Sequence, residues 1–506
     1  MYSNGKVWVA NTAEGQRVEL VPKLANRHGL VAGATGTGKT VTLKVLAESF
    51  SDMGVPVFIA DVKGDIAGMA KAGTDSADMQ ERITRFGLGD TFAYKGYPVA
   101  LWDIFGERGV KLRTTISEMG PLLLARLMGL NELQSDILSI VFKIADDRQL
   151  LLIDTKDLKS MLNFVSENNA EYEAQYGKMS PQSIAAIVRA LVSLEVAGGD
   201  RFFGEPALNL GDWLNTVDGK GVINILDSAS LINNGKLYST FLLWMLSELF
   251  EQLPEVGDMD KPKFVFFFDE AHLLFNDAPK ALVDKIEQVV KLIRSKGVGV
   301  YFCTQAPKDI PDGVLAQLSN KIQHGLRAYT PADQKGVKAA AESYRPNPAF
   351  DTYDTILNLG TGEAVISFLE ENGVPGMVQK AYVLPIQSSF GALSSDERDS
   401  IIKQSLLYTK YERDVDPDSA YEFLERWKVL SEKEAQEARE QAEAAKEAER
   451  IAKEEAKEAE RLAKEEAKEA ERREKEKAKT RQEFAKGASR AMEHLGRGLM
   501  KTFFKF

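Results

Sequence analysis

Residues 30–43 read LVAGATGTGKTVTL, three glycines and a lysine set between two apolar runs. Glycine costs backbone entropy, so such a cluster marks either a tight turn or a backbone that something must approach closely. The order Gly33-Ala34-Thr35-Gly36-Thr37-Gly38-Lys39-Thr40 fits G-x-x-x-x-G-K-[ST] and decides for close approach. Backbone N–H groups of such a loop curl around phosphate oxygens, and the N-terminus of the following helix adds a favourable dipole. Lys39 is expected to reach the β- and γ-phosphates of ATP, and the Thr40 hydroxyl to ligate Mg²⁺. With Val41 on the opening turn of the helical run KTVTLKVLAESF, residues 33–41 form the expected nucleotide-binding segment.

An NTPase site needs a second half, an apolar strand ending in acid, and FVFFFDEAHLLF (264–275) supplies it. Asp269 is expected to hold the Mg²⁺ shell and Glu270 to orient and polarise the attacking water. Two adjacent acids at a strand end are costly to place without such work, because each is partly buried beside the other. A further apolar strand, GVYFCTQAP, ends in Gln305, whose amide is placed to sense the γ-phosphate. The strand end IADVKGDIAG sets Asp61 and Lys63 either near the nucleotide, at the carboxyl edge where open α/β sheets bind ligands, or in a plain turn.

Around these motifs, short runs such as PVFIAD (56–61), GVINILD (221–227), KFVFFFDEA (263–271), GVGVYFCTQ (297–305) and KIQHGLRA (321–328) are nearly continuous in apolar residues. Continuous runs indicate strands buried on both faces. Helical stretches lie between most of them, so the core is expected to be a mostly parallel α/β sheet covered by helices. Residues 105–215 interrupt this alternation with helical patterns and read as an insertion. From about Leu430 the chain turns to Ala, Glu, Lys and Arg. KEAERIAKEEA, KEAERLAKEEA and KEAERREKEKA repeat with a period of eleven from residue 446. That period matches three turns of helix. With only Ile451 and Leu462 as large apolar residues in the first two repeats, it reads as a solvated helix held by i,i+4 ion pairs, or as a coiled coil. From Arg472 onward eleven Lys/Arg face four acids, and Met492, Leu495, Leu499, Phe503 and Phe506 recur at helical spacing. This basic amphipathic tail suits the protein's own core, a partner, DNA or a membrane surface.

The chain has 506 residues, a net charge of −11 and a single cysteine, Cys303. No intrachain disulfide is possible, four histidines without a Cys/His cluster argue against structural zinc, and any nucleic-acid contact must be local. No signal-peptide pattern opens the sequence, and apolar stretches such as FLLWMLSELF (241–250) are too short to span a bilayer. A cytoplasmic protein without an integral membrane segment is expected.

The segments NRHGLVAGATGTGKTVTL, FFFDEAHLLF and IRSKGVGVYFCTQAPKDIP resemble the HerA/FtsK branch of RecA-like P-loop ATPases, most of all its bacterial HerA-like group, over roughly residues 20–390. The resemblance implies a RecA-like (ASCE) P-loop NTPase with a doubly wound sheet and the sensor strand between the strands of Lys39 and Asp269. It also implies a hexameric ring that moves double-stranded DNA, and an arginine completing the site of the neighbouring subunit. Arg294, just before the sensor strand, corresponds best to that finger; Arg327 sits where other members of the branch carry theirs. Only about thirty residues precede the P-loop, so the N-terminal β-barrel with which HerA docks its nuclease is expected to be missing.

The chain is therefore expected to divide into a core in two parts, 1–104 and 216–390, the insertion 105–215, a helical extension 391–429, the charged helix 430–486 and the tail 487–506. The leading reading is a Mg²⁺-dependent, ring-forming ATPase acting on DNA, with a further protein partner met through the insertion or the tail. A nucleotide-switched interaction protein and a polypeptide-moving motor remain open beside it.

Overall fold

The computed structural model describes residues 1–89, 91–229, 235–276 and 280–499, without the side chains of 235, 281–282 and 493–499. Among these residues one 13-stranded sheet runs through the molecule. Its parallel part is ordered Asn320–Gln323, Gly29–Ala32, Val298–Thr304, Phe264–Phe268, Val57–Asp61, Ile223–Asp227, Val99–Asp103, Val110–Lys111. The sensor strand Val298–Thr304 lies between the P-loop strand Gly29–Ala32 and the acidic strand Phe264–Phe268. These strands are buried almost throughout, the direct consequence of their continuous apolar runs. Phe58 stacks between Trp213 and Phe266 at 4.4 and 4.6 Å, filling one side of the sheet. Beyond Asn320–Gln323 the sheet continues antiparallel through Glu363–Ser367, Gln379–Val383 and Lys6–Thr12, so the strands ahead of the P-loop extend the main sheet.

The chain leaves the sheet after Val110–Lys111 and returns at Ile223–Asp227. Between them lie helices Ile116–Met128, Glu132–Asp147, Thr155–Glu167, Asn169–Tyr176 and Pro181–Leu194. Thr115, Asn131, Asp154 and Ser180 cap four of their N-termini, as their short side chains predict. The run Pro181–Phe202 is long and apolar enough to cross a membrane by length and composition, which the reading of apolar stretches overlooked. It is not one straight rod, because Gly198 breaks the helical geometry at φ 96°. Its inner stripe of Ile184, Ile187, Leu191 and Leu194 is buried against the neighbouring helices Ile116–Met128, Glu132–Asp147 and Thr155–Glu167.

Two compact units follow from the contacts, Met1–Leu424 and Glu425–Phe506. The described residues of the second unit are helical, within Ala420–Leu499, and every described side chain from Glu432 to Met492 is exposed. The eleven-residue repeat reappears as a ladder of Glu449–Lys453, Glu460–Lys464 and Glu471–Lys475 at 2.6–2.7 Å. Glutamate four residues before lysine is the favourable order on a helix. Ile451 and Leu462 stay exposed. Of the apolar series in the tail, Met492 is exposed; the side chains of Leu495 and Leu499, with Phe503 and Phe506, lie outside the described residues.

Candidate nucleotide site

The loop between Gly29–Ala32 and the helix Lys39–Asp52 is shaped by glycine where nothing else fits. Gly33 has φ 155°, and a Cβ there would stand 2.5 Å from His324 Cβ. Gly38 has φ 115°, and its Cβ would press on the Gly362 backbone at 3.3 Å. The loop is braced from behind: Ala34 N–H donates to Gly325 O at 2.9 Å, and Gly362 N–H to Thr37 O at 3.0 Å. The Thr37 hydroxyl donates to Ala34 O at 2.7 Å, while Thr35 and Gly36 face solvent. His324 is fully buried, with Nδ1 at 2.9 Å from Glu363 O and Nε2 at 2.8 Å from the Thr42 hydroxyl. A carbonyl only accepts, so Nδ1 carries the proton. Burial pushes the ring's pKa down to about 4, so Nε2 is a bare acceptor for Thr42. This imidazole locks the first turn of the P-loop helix to the sheet, and the sequence motif gives no sign of it.

Lys39 Nζ donates to Gly33 O at 2.6 Å and Ala34 O at 3.1 Å, folded over its own loop. Burial pushes its pKa down and Glu270 pulls it back up. Thr40 and Val41 follow it, half-buried, on the first turn. Across the sensor strand, the Asp269 carboxylate accepts the Glu270 N–H at 3.0 Å. Burial, then the charge of Glu270, raise the Asp269 pKa to about 7. Glu270 holds a left-handed backbone at φ 48°, a conformation that costs free energy for a residue with a Cβ and that gathers at functional sites. Its carboxylate is ringed by Lys63 Nζ at 3.3 Å, Gln305 Nε2 at 3.3 Å and His272 Nδ1 at 3.4 Å. The Tyr238 hydroxyl donates to Asp269 O at 2.9 Å and fixes the bend from below.

Lys39, Asp269, Glu270 and Gln305 therefore come together at the carboxyl edge of the three central strands, joined by Lys63. Asp61 does not point into this group: its oxygens take the N–H groups of Gly64 and Ile66 at 2.7 and 3.0 Å, shaping the loop that presents Lys63. The two arginines part company. Arg327 is exposed, two residues past the Gly325 that braces the P-loop. Arg294 is exposed in the short turn Arg294–Lys296 that precedes the sensor strand. The seven residues of Val298–Thr304 separate it from the site by on the order of 20 Å. His324, His272 and Tyr238 are the participants that sequence reading missed. Only His272, inside DEAH, stood next to a recognised motif.

The residues fit nucleotide and Mg²⁺. The loop ends in a glycine-permitted cradle with a lysine folded over carbonyls that a phosphate can replace. Asp269, whose pKa burial and Glu270 raise, is the carboxylate whose ionised form a divalent cation would favour. No cluster of three or more His, Cys, Asp or Glu able to hold a metal occurs among the described residues. Mg²⁺ needs none, being held through one or two protein oxygens, phosphates and water.

A central parallel sheet with the sensor strand between these two motifs defines a RecA-like P-loop ATPase. Solved structures of the plasmid coupling protein TrwB share the fold. The complex with a non-hydrolysable GTP analogue aligns at TM-score 0.52 and 15% identity over 78% of this chain and 92% of that one. The sulphate-bound trigonal form gives TM-score 0.52 over 78% and 91%. The family model "Helicase HerA-like C-terminal" matches residues 6–505, and the chain belongs to that family. Relatives include a probable helicase of Methanocaldococcus jannaschii, 24% identical over 72% of this chain and 69% of its own length. The DNA double-strand break repair helicase HerA of Sulfolobus acidocaldarius is 22% identical over 78% and 72%.

Proposed function

We propose that this chain is a Mg²⁺-dependent ATP hydrolase that assembles into a ring, a hexamer by preference, and translocates double-stranded DNA in the cytoplasm. The observation that carries the hydrolase reading is the convergence of Lys39, Asp269, Glu270 and Gln305 on one sheet edge. When bound, MgATP supplies the phosphoanhydride that is cleaved and a cation that screens its charge. The P-loop amides and Lys39 would bind the phosphates, Thr40 and Asp269 would hold the cation, and Gln305 would contact the γ-phosphate. Glu270 holds the water that attacks phosphorus, accepting a hydrogen bond from it. In that assembly Arg294, exposed and on the order of 20 Å from its own P-loop, would complete a neighbour's site. DNA as substrate draws on a relative named as a DNA double-strand break repair helicase.

The test is ATP turnover with and without duplex DNA across a salt series. A several-fold rise that fades with salt supports the motor. Turnover indifferent to DNA, yet raised by a protein partner, turns the reading to a nucleotide switch or a polypeptide motor.

A further inference from the structure

Two lysines face the reacting end of the site, and the motif accounts for one. Lys63 stands in the loop after Val57–Asp61, outside both sequence motifs. Its position is built with care. Asp61 takes two N–H groups of that loop, Gly64 turns it at φ +76°, and Lys44 ties it to the P-loop helix. Lys44 is fully buried on that helix and donates to Asp65 O at 2.7 Å and Ser389 O at 3.0 Å. The loop carrying Lys63 and the loop carrying Lys39 are thus parts of one rigid frame. Lys63 Nζ lies 3.3 Å from Glu270 Oε1, with side chains 45% and 12% exposed. Burial opposes its charge, but Asp269 and Glu270 outweigh burial and raise its pKa. An ammonium on the carboxylate that handles the attacking water is, by the same geometry, next to the phosphoryl group under attack.

We propose that Lys63 is a second γ-phosphate sensor beside Gln305: it pairs with Glu270 when no third phosphate is present and exchanges Glu270 for a γ-phosphate oxygen when ATP binds. The exchange swaps one anion for another at a cation that never leaves the frame. It also frees Glu270 to take up water only when ATP is bound. Without it, the strained carboxylate is tied to a lysine and poorly disposed to act on water. The inference rests on the ATPase reading and adds the step that distinguishes ATP from ADP.

The experiment measures the affinities of the full chain for Mg²⁺ with a non-hydrolysable ATP analogue and for Mg²⁺ with ADP. Lys63→Met is expected to weaken the analogue on the order of 10- to 100-fold, the range of a charged hydrogen bond, and to leave ADP within about twofold. Lys63→Arg, which keeps the charge, should retain most of the discrimination. Glu270→Gln removes the competing anion, so it should tighten the analogue but not ADP, and only when Lys63 is present. An unchanged analogue-to-ADP ratio in Lys63→Met overturns the proposal, as does equal weakening of both nucleotides or a Glu270→Gln effect that survives without Lys63. Wild-type protein that binds neither nucleotide overturns the ATPase reading itself. Lys63 is half-exposed, and an unaltered melting temperature of the nucleotide-free variant confirms that the comparison concerns binding.

Discussion

Lys39 and Glu270 make separable demands on the same reaction. Lys39 is the P-loop's only point charge, so Lys39→Ala should abolish nucleotide binding in an equilibrium titration while the fold persists. Tight binding by that variant would place the site elsewhere. Glu270→Gln should keep binding and lower turnover by at least ~10²-fold, since it removes the group that holds the water. Near wild-type turnover would hand that role to another acid, with Asp65 next to be tested, since Asp61 is taken up by its own loop. His324 allows a different test, of the brace. Its pKa is about 4 in the fold and ~6.5 when unfolded. Below pH 6.5 the unfolded chain binds the proton that the folded one refuses, so this stability is complete above pH 6.5 and is lost as pH falls toward 4. The advantage of wild type over His324→Asn, read from urea midpoints, should shrink by about 2 kcal/mol between pH 7 and pH 5. Asp269 has the opposite sign, but it is present in both proteins and cancels in the difference. An advantage independent of pH would mean that the ring is already charged at neutrality.

At the level of elements, the long helix contrasts with the helices of the insertion. Pro181–Leu194 buries a stripe and owes its stability to packing, whereas every side chain from Glu432 to Met492 is exposed and that stretch of helix relies on propensity and its Glu–Lys ladder. Deleting residues 430–506 should therefore leave the melting temperature of the remaining protein within a few degrees and its basal ATP turnover intact. Loss of soluble expression, or a large fall in melting temperature, would show that the tail is packed against the body.

The whole molecule is at stake in Arg294. An arginine supplied across an interface is worth roughly 10³–10⁵ in rate. Arg294→Ala should lose turnover and keep ATP binding, which depends on each subunit's own P-loop. Mixing Arg294→Ala with Glu270→Gln subunits, each inactive alone, should partly restore activity, because some interfaces then pair an intact Glu270 with an intact Arg294. If subunits exchange freely and no mixture recovers, Arg294 does not act in trans. Recovery with Arg327→Ala instead would keep the assembly and move the finger.

The sequence by itself determined the P-loop, the acid-ended strand, the parallel α/β class and the charged C-terminal helix. Each is a local matter: glycine spacing, an uninterrupted run such as FVFFF, an Ala/Glu/Lys/Arg repeat. It missed the strands Lys6–Thr12, Val99–Asp103, Glu363–Ser367 and Gln379–Val383, most of them mixed in polarity, as in KVWVANT and QKAYV, and recognisable only beside their partners. It also carried KIQHGLRA as strand to residue 328, whereas the strand stops at Gln323. There His324 turns in to Thr42 and Gly325 takes the Ala34 N–H, so the chain leaves the sheet to brace the loop. Only the tertiary structure could bring Lys63, His272 and Gln305 around Glu270, or set His324 behind the P-loop. Those contacts join residues up to 282 positions apart, and hydrogen bonds between distant side chains leave no period or spacing in a sequence.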